Sequence, residues 1–147
     1  MKPVNEVKME FSSRSSNEGF ARAAAACFAA QMDPTLEELG DIKTAVSEGV
    51  TNAIVHAYPN EIGKVMMRMR MFEDHVLEIV IRDWGVGIPN IEQAREPMYT
   101  TGGADRSGMG FTIMESFMDT LRVRSQVGKG TTLTLRKRIS RRLSRSE

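Results

Sequence analysis

The sequence predicts an α/β fold, a two-layer sandwich with helices packed on one face of a sheet of antiparallel strand pairs. Two observations carry this. Period-two alternation of apolar and polar residues recurs in short stretches, and two pairs of them are joined by tight turns, as in hairpins. Helical spacing is concentrated between 18 and 56, with a second piece at 111–118. Grouped helices and paired strands fit helices on one face of a sheet. At 147 residues, with 41% hydrophobic and 27% charged side chains, the chain suffices for one domain with a real core.

The elements follow in order. Residues 7–11 alternate as a first strand. Ser15, Ser16 and Asn17 supply caps for an alanine-rich helix over 18–32. Its single cysteine, Cys27, is expected to be a small buried filler there, and its basic residue, Arg22, to snorkel to water. Asp33 ends that helix and Pro34 suits the first position of the next. Leu36, Leu39, Ile42, Val46 and Val50 then keep helical spacing. A turn over 58–63 leads into a hairpin of 65–72 and 77–82, with His75 expected as a solvated residue at its tip. Glycine-rich text runs from 83 to 110, with a short helical piece at 91–95. A helix over 111–118 and two last strands, 121–126 and 131–137, complete the chain.

Charge and composition narrow the functional classes. The net charge of +1 hides six basic residues in 136–147, which leave 14 basic and 18 acidic residues elsewhere. That end is expected to be frayed and solubilising, because it lacks the aromatic interleaving of a nucleic-acid site. One cysteine allows neither an internal disulfide nor a cysteine metal cluster. Without a membrane-spanning apolar run or a leader, the expected location is the cytoplasm.

Three motifs carry chemistry. Glu48, Asn52 and His56 stand at i, i+4 and i+8, one polar stripe on a helix, with Val46, Val50, Ala53 and Ala57 facing a core. Glu48 offers a proton-accepting carboxylate and Asn52 a hard oxygen of the kind Mg²⁺ takes beside phosphate oxygens. Alone, the stripe is better read as a solvated helix face. Next, Asp83-Trp84-Gly85-Val86-Gly87 follows a strand. Its carboxylate can accept from an exocyclic amine, and Gly85 and Gly87 would let backbone approach a flat base. Finally, Arg106-Ser107-Gly108-Met109-Gly110 precedes a helix, where free amides and the helix dipole favour an anion and Arg106 adds a phosphate partner.

In this order, the three resemble the nucleotide-binding boxes of the superfamily that includes histidine-kinase catalytic domains and DNA gyrase B. Within it the chain is most similar to the bacterial anti-sigma factor serine kinases, in the branch found in endospore formers. Asn17-Glu18-Gly19-Phe20-Ala21-Arg22, Asp33-Pro34-Thr35, Thr51-Asn52-Ala53-Ile54 and 106–115 all read like that family. The resemblance implies the Bergerat, histidine-kinase-like ATPase fold, a two-layer α/β sandwich with a mixed, mainly antiparallel sheet. It also implies a single kinase and anti-sigma domain over 1–138, followed by a basic tail over 139–147. Glu48 would be the base toward a substrate serine, Asn52 the Mg²⁺ ligand, and Asp83 the adenine contact with Gly85 and Gly87. Thr100 and Thr101 would open a lid over the phosphates of ATP or ADP. Arg106, Ser107, Gly108, Met109 and Gly110 would hold the phosphate chain, and Arg22 would face protein partners. The implied partners are an RNA polymerase sigma factor of the sporulation branch, an anti-anti-sigma antagonist as serine substrate, and a second copy in a homodimer. Neither direct nucleic-acid binding nor a membrane is implied. The chain departs from the family at Ala57, at Trp84, and in a shortened lid without the usual lysine. Two other readings stay open: a sensor-histidine-kinase module, and a nucleotide-gated binding protein without kinase activity.

Overall fold

A computed structural model of the protein describes residues 1–96 and 110–140. The chain runs β1 (Pro3–Ser12), α1 (Asn17–Ala30), α2 (Leu36–Asn52), a π-helical turn (Ala53–Ala57), β2 (Lys64–Phe72) and β3 (Val76–Asp83). It continues through α3 (Ile91–Ala94), α4 (Gly110–Phe117), β4 (Thr120–Gln126) and β5 (Gly130–Arg138). The strands form one sheet in the order β1-β2-β3-β5-β4. All four pairings are antiparallel, so the expected mixed sheet is corrected to a wholly antiparallel one among the described residues.

Alternation sets the two faces. Met67, Met69, Leu77, Ile79, Ile81, Leu133 and Leu135 point into the helical layer and are essentially fully buried. The helices supply Ala21, Ala25, Phe28, Ile42, Val46, Val50 and Met114 from their side of the same core. Gly49 brings α2 close to the sheet, since a Cβ there would lie 2.7 Å from Ile81 Cδ1. The expected inward set Val46, Val50, Ala53 and Ala57 is buried as the spacing required.

Local chemistry differs from expectation at several points. Pro34 does not open α2. Thr35 caps it, its Oγ1 accepting from the Glu38 amide at 3.0 Å while Glu38 accepts from the Thr35 amide at 2.8 Å, a reciprocal capping box. Asp33 just before it takes a φ of 54°, a left-handed turn that Asp tolerates. Cys27 is exposed, not a core filler, because the buried face of α1 is 21, 25, 28 and 29 and 27 lies off it. His75, expected free in a turn, is half-buried: its Nδ1 lies 2.7 Å from the Ile139 carbonyl and its own carbonyl accepts from the Ile139 amide. That pairing carries order past β5. Ile139 is 1% exposed, and the amide of the exposed Ser140 donates to Glu38, so the tail's first residue is packed and its second is tied by a hydrogen bond. Arg136, Lys137 and Arg138, counted with the basic end, lie within β5. Among the described residues no helix is long and apolar enough to cross a membrane.

Candidate functional site

The site lies where the end of α2, the end of β3 and the start of α4 meet. Glu48 sits half-buried on the last turns of α2, and a Cβ on Gly110 would come within 3.4 Å of its Oε1. The carboxylate therefore stands beside the first residue of α4. Burial raises the proton affinity of Glu48 above that of an ordinary glutamate, and the nearby Glu18 carboxylate raises it further. Both causes make it a better base.

Asn52 closes α2 and is partly buried. Its side chain makes no hydrogen bond with another described residue, so an amide oxygen is available for a hard ligand. The π-helical turn that follows gives the chain a wider loop before Tyr58, and such turns concentrate at functional sites. His56 lies in this turn and completes the polar stripe in sequence.

The turn is tied directly to the Asp83 loop. The Val86 amide donates to the Ala57 carbonyl at 2.9 Å. Tyr58 is the second tie: its hydroxyl donates to the Lys64 carbonyl at 2.6 Å and accepts from the Trp84 amide at 2.7 Å. Asp83 itself is 4% exposed. The Gly85 and Thr131 amides both donate to its Oδ1, at 3.0 and 3.1 Å, which orients the carboxylate without using Oδ2. Burial raises its proton affinity, and the two amides offset only part of that. A buried carboxylate kept at this cost is a functional-site signature.

The two loop glycines answer to the protein's own backbone. A Cβ on Gly85 would lie 2.0 Å from the Ala57 carbonyl oxygen, and one on Gly87, at a φ of 80°, 2.4 Å from that of Gln126. The sequence reading assigned both to contact with a flat base; the structure adds a second requirement, close loop packing. Trp84 turns to the sheet's outer face, with Lys64 Nζ 4.4 Å and Arg82 Cζ 4.7 Å from its ring.

Arg22 extends the site along α1. It pairs with Glu18 at 3.0 Å, one turn away, rather than merely reaching into water. The Ser47 hydroxyl donates to the same Glu18 oxygen. Arg22, Gly40, Lys43, Thr44, Ser47 and Glu48 line an open groove of about 480 Å³. The residue expected to meet partners and the expected base thus share one groove. Sequence reasoning missed Glu18, Ser47 and Lys43; the i, i+4 pair of Glu18 and Arg22 was the available signal.

Thr100, Thr101, Arg106, Ser107, Gly108 and Met109 lie outside the described residues. Among the described ones, no group of three or more His, Cys, Asp or Glu could hold a metal. The side-chain oxygen of Asn52 is of the hard kind that suits a cation held mainly by phosphate and water.

Comparison with known proteins bears on the family and the fold. Residues 11–137 match the histidine kinase-like ATPase domain family. The chain is 54% identical to the anti-sigma F factor of Geobacillus kaustophilus (strain HTA426) over 93% of its own length and 94% of the relative's. It is 52% identical to that of Priestia megaterium, over 92% and 94%. Among solved structures, the RsbU and RsbW domains of Rv1364c from Mycobacterium tuberculosis superpose with a TM-score of 0.68 at 21% identity. That match covers 95% of this chain and 33% of the other, and it supports the fold. The chain belongs to the histidine kinase-like ATPase domain family, and within it to the branch of the anti-sigma F factors.

Proposed function

We propose that the protein is an anti-sigma factor and a protein serine kinase. It binds and inhibits a sporulation-type sigma factor, and it uses Mg-ATP to phosphorylate a serine on an anti-anti-sigma antagonist. The observation that carries this reading is the Glu48 carboxylate, held beside the start of α4 with raised proton affinity. A substrate hydroxyl brought to Glu48 loses its proton as its oxygen attacks the terminal phosphorus of ATP, and ADP leaves. Positioning and charge neutralisation supply most of such a rate.

Asp83 holds the adenine amine through the oxygen its amides leave unused. Asn52 contributes one oxygen to Mg²⁺, which when bound neutralises charge on the phosphates. The start of α4 at Gly110, with Arg106, Ser107, Gly108 and Met109 before it, receives the phosphate chain, and Thr100 and Thr101 open the lid. Arg22 and the groove beside it face the protein partners in a homodimer. The reading makes the protein cytoplasmic, where a partner on RNA polymerase acts, and a single domain over 1–138 with a basic tail that begins packed at Ile139.

Incubation with radiolabelled ATP and the antagonist tests the reading. Serine phosphate on the antagonist is expected. Glu48→Ala should keep ATP binding and lower transfer about 10²–10⁴-fold, the usual contribution of a general base. Asn52→Ala should lose both. Phosphate on a histidine of the protein itself, or bound ATP that is never spent, would replace this reading with a histidine-kinase module or a nucleotide-gated binder.

A further inference from the structure

The outer face of the sheet, away from the helices, changes character across its width. Over β3, β5 and β4 the register sets Arg82, Thr132 and Arg124 in one row, and Val80, Thr134 and Arg122 in the next. The third row is Glu78, Arg136 and Thr120. Its one carboxylate, Glu78, is 1% exposed and already holds Arg70 and Arg136. This half-face therefore carries exposed arginines and no exposed carboxylate.

Two of the arginines, Arg122 and Arg124, are exposed on β4 and make no hydrogen bond or ion pair with a described residue. β4 is also an edge strand, paired only with β5 among the described strands. Its inward residues, Leu121 and Val123, are only half-buried although they pack against the core. Among the described residues, the one side-chain bond to its backbone is a long one, Arg95 Nη2 to the Leu121 carbonyl at 3.4 Å. An edge strand with free backbone groups is a template for another strand.

We infer that β4 docks an extended protein segment that alternates acidic and apolar residues, adding a sixth strand. Its acidic side chains would stand beside Arg122 and Arg124 as cross-strand pairs, and its apolar ones would cover Leu121 and Val123. Nucleic acid fits this face less well. Arg136 and Arg138 are committed to Glu78 and Asp74, which leaves too few arginines to track a phosphate backbone. No aromatic ring stands on the outer face of these three strands for base stacking, and neighbouring Trp84 already carries two cations.

The inference is independent of the kinase reading, and so is its test. The full-length ¹⁵N-labelled protein is titrated separately with three probes: a synthetic peptide alternating Glu and Val, its Lys–Val counterpart, and a thymidine oligonucleotide. The Glu–Val peptide should shift the amides of β4, weaken with added salt, and lose about tenfold in affinity in the R122E/R124E double variant, as two lost cross-strand pairs predict. The double variant should instead prefer the Lys–Val peptide. Both positions are exposed, and circular dichroism checks that the variant folds. Equal binding of both peptides, shifts confined to other elements, or binding of the oligonucleotide alone would overturn the inference.

Discussion

Gly85→Ala tests how the two halves of the site are joined. The new Cβ would lie 2.0 Å from the Ala57 carbonyl oxygen and 2.5 Å from its carbon. Both are backbone atoms, so no rotamer change relieves the overlap, and the loop and the π-helical turn must separate by more than an ångström. Separation breaks the Val86–Ala57 hydrogen bond. An amide and a carbonyl that lose each other in a partly buried place cost about 1–3 kcal/mol. The forced shift of packed elements costs about 1–3 kcal/mol more. Urea denaturation should therefore show a loss of about 2–6 kcal/mol with an unchanged m-value. Fluorescent ATP-analogue binding should weaken as well, since Asp83 and Asn52 sit on opposite sides of the broken joint. A variant within about 0.5 kcal/mol of the parent, with the Val86 amide still protected from hydrogen exchange, would refute the joint.

Four further substitutions probe the scaffold and the site. Gly40→Ala, inside α2 with nothing within 4 Å of its new Cβ, should stabilise by about 0.5–1 kcal/mol in the same urea assay, whereas Thr35→Ala, which removes the capping box, should cost about 1 kcal/mol. Glu78→Ala leaves Arg70 and Arg136 without their shared carboxylate. A loss of about 2–3 kcal/mol is expected, under the 3–5 of a fully enclosed pair because Arg136 keeps half its surface in water. Burial raises the proton affinity of Glu78, but those arginines hold it net below the usual glutamate value. Its contribution should thus be complete above the unfolded-state pKa and fade as pH falls through the lower folded one, and the pH profile of Glu78→Ala should lack that fall. Asp83→Asn has the opposite sign. Folding raises the Asp83 pKa, so its ionised form opposes folding at neutral pH. The variant should denature at higher urea than the parent at pH 7, lose that advantage in acid, and bind ATP more weakly.

Most of the fold was legible because its strands obey a period of two and its long helix a period near 3.6. The inward residues of β2, β3 and β5 follow from alternation alone. Where sequence and structure part, a contact distant in sequence decides. Cys27 sits among alanines, and composition suggests burial, yet helical phase puts it outside. His75 reads as a free turn residue until Ile139, 64 positions away, closes on it. Pro34 suits a first helical position, but the reciprocal bonds of Thr35 and Glu38 set the start of α2 two residues later. At the site, the types and spacing of Glu48, Asn52 and Asp83 were readable. The close packing that Gly85 and Gly87 permit was not, because the backbone atoms that crowd them belong to Ala57 and Gln126.

The carboxylates divide along the same line as scaffold and site. Glu38 and Glu78 are held below the usual glutamate value, by capping and backbone bonds in one case and by arginines in the other, in each case against the opposing effect of burial. Each stabilises the fold as an anion. Glu48 and Asp83 are both pushed up, chiefly by burial. Neither is neutralised by an arginine or lysine among the described residues, and each therefore costs folding energy when ionised. A chain shaped for stability alone would pair or replace these two groups, as it does at Glu78. Their placement at the end of β3 and on the last turns of α2, joined by one backbone hydrogen bond between the π-helical turn and the loop that follow them, suits the adenine contact and the proton acceptor proposed for them.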